Sequence, residues 1–333
     1  MTENLKVRPY QLMCIICKSA GGFDKTAGDR KLKKILNKIK KNPDCPVTIV
    51  CNVSGNYSYQ NPGRENDTSA GRLSNVKRDL DILRLMGLVP GTTMPARALT
   101  EKLLNSVMTS SSICTGKKDS KIWKGCGKAE SGNYEKARKK GLDAIIPARP
   151  VTERKKAKKI SVKKMYDSKI LSIRPHHLMC MACFSAGEKA DAPIPEDNLY
   201  EAIDIVRKNP GIPVRLVEGP CMICSPCKAF LPEKNICTAG YSMSLRDEKK
   251  DLDVLYKLDM EYGMILPANE LFNKLFSVIK STKEICGFGD GVNRSEEWTS
   301  YCHLLTKEGL PAYDKARKEG MKIPGCGKKI NDI

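Results

Sequence analysis

The chain has 333 residues, 41% hydrophobic and 29% charged, with a formal net charge of +20, which is long enough for two domains that each bury a core. This composition excludes a disordered or fibrous chain, and no apolar run approaches the roughly 18 residues that a membrane helix needs. The opening Met1-Thr2-Glu3-Asn4-Leu5-Lys6 has no apolar core of the signal-peptide kind, so a cytoplasmic chain without membrane contact is expected. Nothing in the sequence fixes an oligomeric state.

In chain order, one pattern runs twice. Val7-Arg8-Pro9-Tyr10-Gln11-Leu12-Met13-Cys14-Ile15-Ile16-Cys17 opens the first run, and Ile173-Arg174-Pro175-His176-His177-Leu178-Met179-Cys180-Met181-Ala182-Cys183 opens the second. Each predicts a short helix with proline in its first turn, where a missing N–H costs nothing, and two cysteines at i, i+3 on one face. Gly21-Gly22 and Gly187 end that helix. An amphipathic helix follows, with Leu32, Ile35, Leu36 and Ile39 as its stripe; its counterpart runs from Asn198 to Lys208. A short strand comes next, with Val47 and Ile49, or Val214 and Leu216, on one face. Beyond an irregular loop lies a helix containing Val76, Leu80 and Leu83, capped by Ser74, then another starting near Pro95 or Pro267. A cysteine-bearing loop leads to a last helix ending at Gly141 or Gly320.

Further matches keep the same order. Lys41-Asn42-Pro43 answers Lys208-Asn209-Pro210, Asp79-Leu80-Asp81 answers Asp251-Leu252-Asp253, and Ile113-Cys114 answers Ile285-Cys286. Tyr134…Lys136-Ala137-Arg138 answers Tyr313…Lys315-Ala316-Arg317, and Trp123 before Cys126 answers Trp298 before Cys302. A repeat of this length implies two similar domains from an internal duplication. The expected class is α+β, predominantly helical, with cysteine-rich loops ordered by metal. The expected bounds are a strongly basic first repeat over 1–147, a basic linker over 148–170 and a second repeat over 171–333.

Charge is unevenly placed. Residues 1–164 carry 35 Lys/Arg against 14 Asp/Glu, a net of +21, and the remainder 23 against 24, a net of −1. The stretch from Arg149 to Lys159 reads as an exposed, mobile tether, with Lys155, Lys156, Lys158 and Lys159 as candidate anion-binding residues. A basic half attracts anionic partners: a redox protein, a nucleotide or nucleic acid. A merely solvated lysine-rich surface is the alternative.

The fifteen cysteines favour metal ligation or redox chemistry over a disulfide framework in a reducing compartment. The sharpest group is Cys221-Met222-Ile223-Cys224-Ser225-Pro226-Cys227, followed by Cys237. Three thiolates in this spacing reach different irons of one [4Fe–4S] cluster, whereas zinc sites more often use two separated pairs. In the first copy Ser54, Tyr57 and Gln60 stand opposite the triple. A second set survives in both copies: Cys14, Cys17, Cys114 and Cys126, matched by Cys180, Cys183, Cys286 and Cys302. It suits a cluster or zinc, or in part a buried core; Cys326 is spare. His176 and His177 belong to the second copy alone and are candidates for ligation or proton donation; His303 adjoins Cys302. The cysteine order of radical S-adenosylmethionine enzymes is absent. Gly287-Phe288-Gly289-Asp290-Gly291 does not sit between a strand and a helix, so no phosphate-binding loop is indicated.

Arg174-Pro175-His176-His177-Leu178-Met179-Cys180, with Ile223-Cys224-Ser225-Pro226-Cys227 after it, resembles a family of small bacterial and archaeal proteins of unknown function. Its members begin R-P-H-H-L-x-C, carry several later cysteines and are taken to bind iron–sulfur clusters. The resemblance covers roughly 170–326 and reaches 7–147 only through the repeat. It implies a cluster and no particular reaction; the cysteine groups themselves allow one to three [4Fe–4S] clusters per chain, or zinc instead. The reading is an iron–sulfur redox protein or oxidoreductase whose basic first repeat docks an anionic partner. The alternatives are a zinc-stapled nucleic-acid-binding protein and an accessory or carrier subunit of another metalloenzyme. Six Phe and two Trp offer few stacking platforms for single strands, which weighs against nucleic acid.

Overall fold

The computed structural model of the chain describes residues 4–51, 72–117, 120, 122–187, 192–238, 244–287 and 309–327. It divides into two compact units, Met1–Ala148 and Arg149–Ile333. In the first, β1 (Leu5–Val7) leads to α1 (Pro9–Gly21), α2 (Ala27–Lys41) and β2 (Pro46–Ile49). Then come α3 (Arg72–Met86), β3 (Thr93–Pro95), α4 (Ala96–Ser106), the single turn α5 (Ser111–Cys114) and α6 (Asn133–Lys140). The second unit begins with α7 (Val151–Tyr166), then β4 (Leu171–Ile173), α8 (Pro175–Ser185), α9 (Leu199–Lys208) and β5 (Pro213–Leu216). A small hairpin of β6 (Phe230–Leu231) and β7 (Ile236–Cys237) precedes α10 (Leu245–Leu258), β8 (Ile265–Pro267), α11 (Ala268–Val278) and α12 (Gly309–Glu319).

The class is α+β, and each unit builds the same small sheet. β1 pairs parallel with β2 and β2 antiparallel with β3, with Leu5 opposite Val47 and Pro46 opposite Pro95. β4, β5 and β8 repeat this, with Leu171 opposite Val214 and Pro213 opposite Pro267. Parallel neighbours need a crossover, which α1–α2 and α8–α9 supply. The apolar stripe of Leu32, Ile35, Leu36 and Ile39 is buried as expected, as are Val47, Ile49, Val214 and Leu216. No helix among the described residues is long and apolar enough to cross a membrane.

A buried ion pair ties sheet to helix in each unit. Arg8 follows β1 and donates through Nε to Asp79 Oδ2 of α3 at 2.7 Å, both side chains fully buried. The other oxygen of Asp79 accepts the Tyr10 backbone N–H at 3.0 Å. In the second unit Arg174 gives Asp251 Oδ2 two bonds, from Nε at 2.8 Å and Nη2 at 2.5 Å, and reaches Glu248 at 3.1 Å. Asp251 Oδ1 accepts the His176 backbone N–H at 2.9 Å and meets His176 Nδ1 at 2.7 Å. Each carboxylate thus satisfies an orphan N–H of a first helical turn while neutralising the arginine beside it.

Four expectations need correction. Ser74 lies inside α3 rather than capping it, and Leu80 is 45% exposed while Asp79 faces inward. The buried face is polar there because it serves Arg8, which a search for apolar spacing overlooks. α8 ends at Ser185, two residues before Gly187. The stretch expected as a mobile tether is instead α7, a helix of the second unit that buries Met165 against α9 and docks Lys158 on Glu201 at 2.6 Å. By unit, the first then holds 27 Lys/Arg against 13 Asp/Glu, a net of +14, and the second 31 against 25, a net of +6. The second unit is therefore basic too, though less so.

The two carboxylates titrate in opposite directions. Burial pushes Asp79 up to about 6 against the pull of Arg8. Burial acts on Asp251 as well, but His176 and Arg174 outweigh it and hold its carboxyl below the usual value. Asp251 thus stabilises the fold above its unfolded pKa of about 3.9 and ceases to do so as pH falls through its lower folded value. We predict that Asp251→Asn costs about 3–5 kcal/mol at neutral pH by stranding Arg174. Its deficit against wild type should shrink only below pH of about 4, whereas that of Asp79→Asn should narrow as pH rises through about 6. Denaturant melts of both variants across pH decide this; parallel pH profiles would refute it.

Candidate metal centre

The second unit brings two chain segments together at the start of α8. Arg174 and Asp251 fix the first turn, so His176, His177 and Cys180 project from a held helix end. Opposite lies the loop after β5. It closes in three successive turns, with Cys224 N bonding Cys221 O at 3.0 Å, Cys227 N bonding Cys224 O at 2.9 Å and Phe230 N bonding Cys227 O at 3.2 Å. Met222 N donates to Ser172 O of β4 at 3.1 Å, Asn198 Nδ2 donates to Met222 O at 2.8 Å, and Ile223 is buried in the core. These contacts are the protein's own and anchor the loop to β4, α9 and the core.

His177 joins the two segments. Its Nδ1 lies 3.2 Å from Cys221 Sγ and 4.0 Å from Cys224 Sγ, and the two sulfurs are 3.9 Å apart. His177, Cys221 and Cys224 offer ligand atoms that all lie within 4.8 Å of one another, and His176, His177 and Cys180 form a second such group. These two groups of three could each hold a metal ion. Backbone N–H groups of Cys221 and Ala229 point at the sulfurs of Cys224 and Cys227, each at 3.4 Å, which favours thiolate.

The electrostatics match that geometry. Burial opposes ionisation of Cys221, but hydrogen bonding to Cys224 and the adjacent His177 bring its pKa well below the ordinary thiol value. Cys224 moves the other way, raised first by the shared hydrogen bond and then by burial, so it keeps the proton. Burial also disfavours charge on His177, yet Cys221 outweighs it and raises the imidazole. His176 is lowered, chiefly by burial, with Asp251 opposing. It is therefore a neutral ring whose Nδ1–H donates to a carboxylate, the arrangement that leaves Nε2 available to a metal.

Cys227 lies at the near side of the β6–β7 hairpin; burial raises its thiol, and Cys237 nearby adds to that rise. Asp197, itself raised by burial, faces His177 and Cys227. Of the repeated set, Cys183 and Cys286 are buried near Tyr313, Cys326 is buried in the core, and Cys302 lies outside the described residues, as do His303, Trp298, Ser54, Tyr57, Gln60 and the glycines at 289 and 291. Cys180 of the repeated set and Cys221 and Cys224 of the triple fall in separate groups of three that share His177.

In the first unit Cys14, Cys17, Cys114 and Cys126 line one cavity of about 20 Å³, room for roughly one water-sized occupant. No three of their sulfurs come as close as the second unit's ligand groups. Arg78 Nη1 stands 3.9 Å from Cys114 Sγ. Burial pushes Cys14 up to about 12, with Arg78 the main opposing influence. Asp251, Asp197 and Arg78 were not singled out from sequence as site residues. The matched Asp-Leu-Asp tripeptides carried a signal for Asp251, since a charged pair kept in both copies asks for a partner.

No protein-family model, curated protein or solved structure matches the chain.

Metal-stripped protein should react first at Cys221 with an alkylating agent near neutral pH, because its thiolate persists well below pH 9.0. His177→Ala should shift the midpoint of that reaction upward. Mass spectrometry of the labelled peptides checks both; alkylation of Cys221 no faster than Cys227 would contradict the ion-pair assignment.

Proposed function

We propose that the chain is a metal-binding redox protein whose second unit holds an iron–sulfur cluster, with the two units descending from one duplicated domain. The observation that carries this reading is the convergence of the ligand atoms of His177, Cys221 and Cys224 within 4.8 Å of one another, with His176 and Cys180 adjoining. Cys227 and Cys237 follow in the same loop. A single tetrahedral ion takes four ligands, so this donor surplus favours a cluster, and the likeness of 170–326 to the R-P-H-H-L-x-C family points the same way. The donor chemistry fits, since backbone N–H groups already face two of the sulfurs. A cluster, when bound, supplies one-electron transfer. The chain's own groups hold a proton between His177 and Cys221, keep His176 neutral on Asp251 and fix the helix end that carries both histidines.

A single zinc ion is the second reading, and one distance favours it. Two thiolates on a tetrahedral ion with Zn–S of about 2.3 Å lie roughly 3.8 Å apart, and Cys221 and Cys224 are at 3.9 Å. The first unit's small cavity also suits one ion better than a cube of irons and sulfides. Iron, sulfide and zinc counts on anaerobically purified protein separate the readings. Iron with equimolar sulfide and a brown colour supports the cluster; zinc without sulfide overturns it. In either case Cys224→Ala should remove the second unit's metal while leaving any metal of the first unit in place, and equal loss from both would show that the sites are not independent.

Partner docking rests on charge. Lys155, Lys156 and Lys159 are exposed along α7, whereas Lys158 is engaged with Glu201 and the Asp197 carbonyl. Association with an anionic redox partner or nucleic acid should weaken steeply with salt, since the Debye length falls from about 30 Å at 0.01 M to about 3 Å at 1 M. Charge reversal at the three exposed lysines should weaken it at low salt with metal content unchanged. Indifference to both salt and charge reversal would make this helix a solvated face only.

A further inference from the structure

The first unit contains a cleft that the metal reading does not use. It measures about 430 Å³ and is lined by Ser74, Lys77, Arg78, Cys114, Lys117 and Trp123. That size lies within the roughly 300–1,000 Å³ typical of small-molecule sites. Two lysines stand at its edge: Lys117 is exposed, and Lys77, also exposed, shares its ammonium with Asp81 at 2.6 Å. Beneath them Arg78 is buried and held by Asn75 and Cys114, a fixed positive charge at the floor. Trp123 remains 37% exposed, a large aromatic surface left open in a unit of net charge +14.

The wall that carries Trp123 is built, not incidental. Lys117 N donates to Trp123 O at 2.7 Å, and Trp123 N donates to Ser120 Oγ at 2.9 Å. Thr115 and Gly125 form an isolated bridge. A Cβ on Gly116 would come within 2.1 Å of the Lys124 carbonyl, and one on Gly125, whose φ is +72°, within 2.1 Å of Gly116 N. Only glycine fits at either place, and this close approach is what places the indole and the Lys117 side chain on the same cleft.

We infer that this cleft binds a nucleoside phosphate, with the base stacked on Trp123 and the phosphates held by Lys117 and Lys77 over the positive floor of Arg78. An aromatic face beside converging cations suits a ligand that is planar at one end and anionic at the other. Phosphate oxygens would take Lys77 from Asp81. The bound molecule would lie against Cys114, which also borders the thiol cavity, so ligand and thiol set would be neighbours. This site goes beyond the metal reading and does not depend on it.

The chain has two tryptophans, so Trp298→Phe makes Trp123 the sole indole reporter. Titration of that full-length protein with ADP should quench fluorescence saturably, while adenosine and pyrophosphate should each bind about tenfold more weakly or worse. Lys117→Glu, and separately Lys77→Glu, should weaken ADP about tenfold with circular dichroism and metal content unchanged. Trp123→Leu, followed by equilibrium dialysis, should weaken ADP but not pyrophosphate. The inference is overturned if ADP gives no saturable quenching, if the lysine variants bind ADP as wild type does, or if pyrophosphate binds as tightly as ADP. Binding of a single-stranded oligonucleotide that ADP does not displace would overturn it as well.

Discussion

The buried arginine–aspartate pair at the junction of sheet and helix is the interaction on which the remaining structure depends. An arginine taken fully out of water is tolerated only with a carboxylate in good geometry, and that carboxylate in turn needs further donors. Arg8 with Asp79 and Arg174 with Asp251 meet this demand by recruiting the first-turn N–H of the following helix. The pair therefore does three things at once: it closes the strand onto α3 or α10, caps the cysteine-bearing helix, and orients the residue two places after the arginine. In the second unit that residue is His176, and the clamp orients its imidazole.

The two units treat this shared frame differently. In the first, Tyr10 occupies the place of His176 and receives two guanidiniums on its ring, Arg8 at 4.6 Å and Arg78 at 4.8 Å from the centroid. Arg78 then extends to Cys114, so a positive charge stands beside thiols that burial keeps protonated. In the second unit Lys250 holds the matching place beside Asp247, and the imidazole pair His176–His177 stands with ring centroids 4.6 Å apart in a T-shaped arrangement. One frame thus supports a cation-rich thiol cavity and the other a histidine–thiol centre.

Much of this was legible from the sequence because it is local. The helix starts at Pro9 and Pro175, the stripe from Leu32 to Ile39, the inward faces of the short strands and the helices after Pro95 and Pro267 all follow from spacing and backbone chemistry over a few residues. The gathering of Cys14, Cys17, Cys114 and Cys126 was legible by comparison between copies. What escaped is long-range or polar. His177 meets Cys221 across 44 positions through a loop whose path no pattern encodes. The polar buried face of α3 looks like a defect in an apolar stripe until Arg8 is seen against it. The lysines that dominate α7 give it the pattern of a tether, although Met165 and Lys158 dock it.

We propose that His177, Cys221 and Cys224 share one metal centre. X-ray absorption at the edge of the bound metal, measured on wild type and His177→Ala, tests it most directly. The account predicts a metal–sulfur shell at about 2.3 Å together with a nitrogen scatterer that is lost in the variant. A shell of oxygen and nitrogen alone, or a spectrum unchanged by removal of the imidazole, would contradict it.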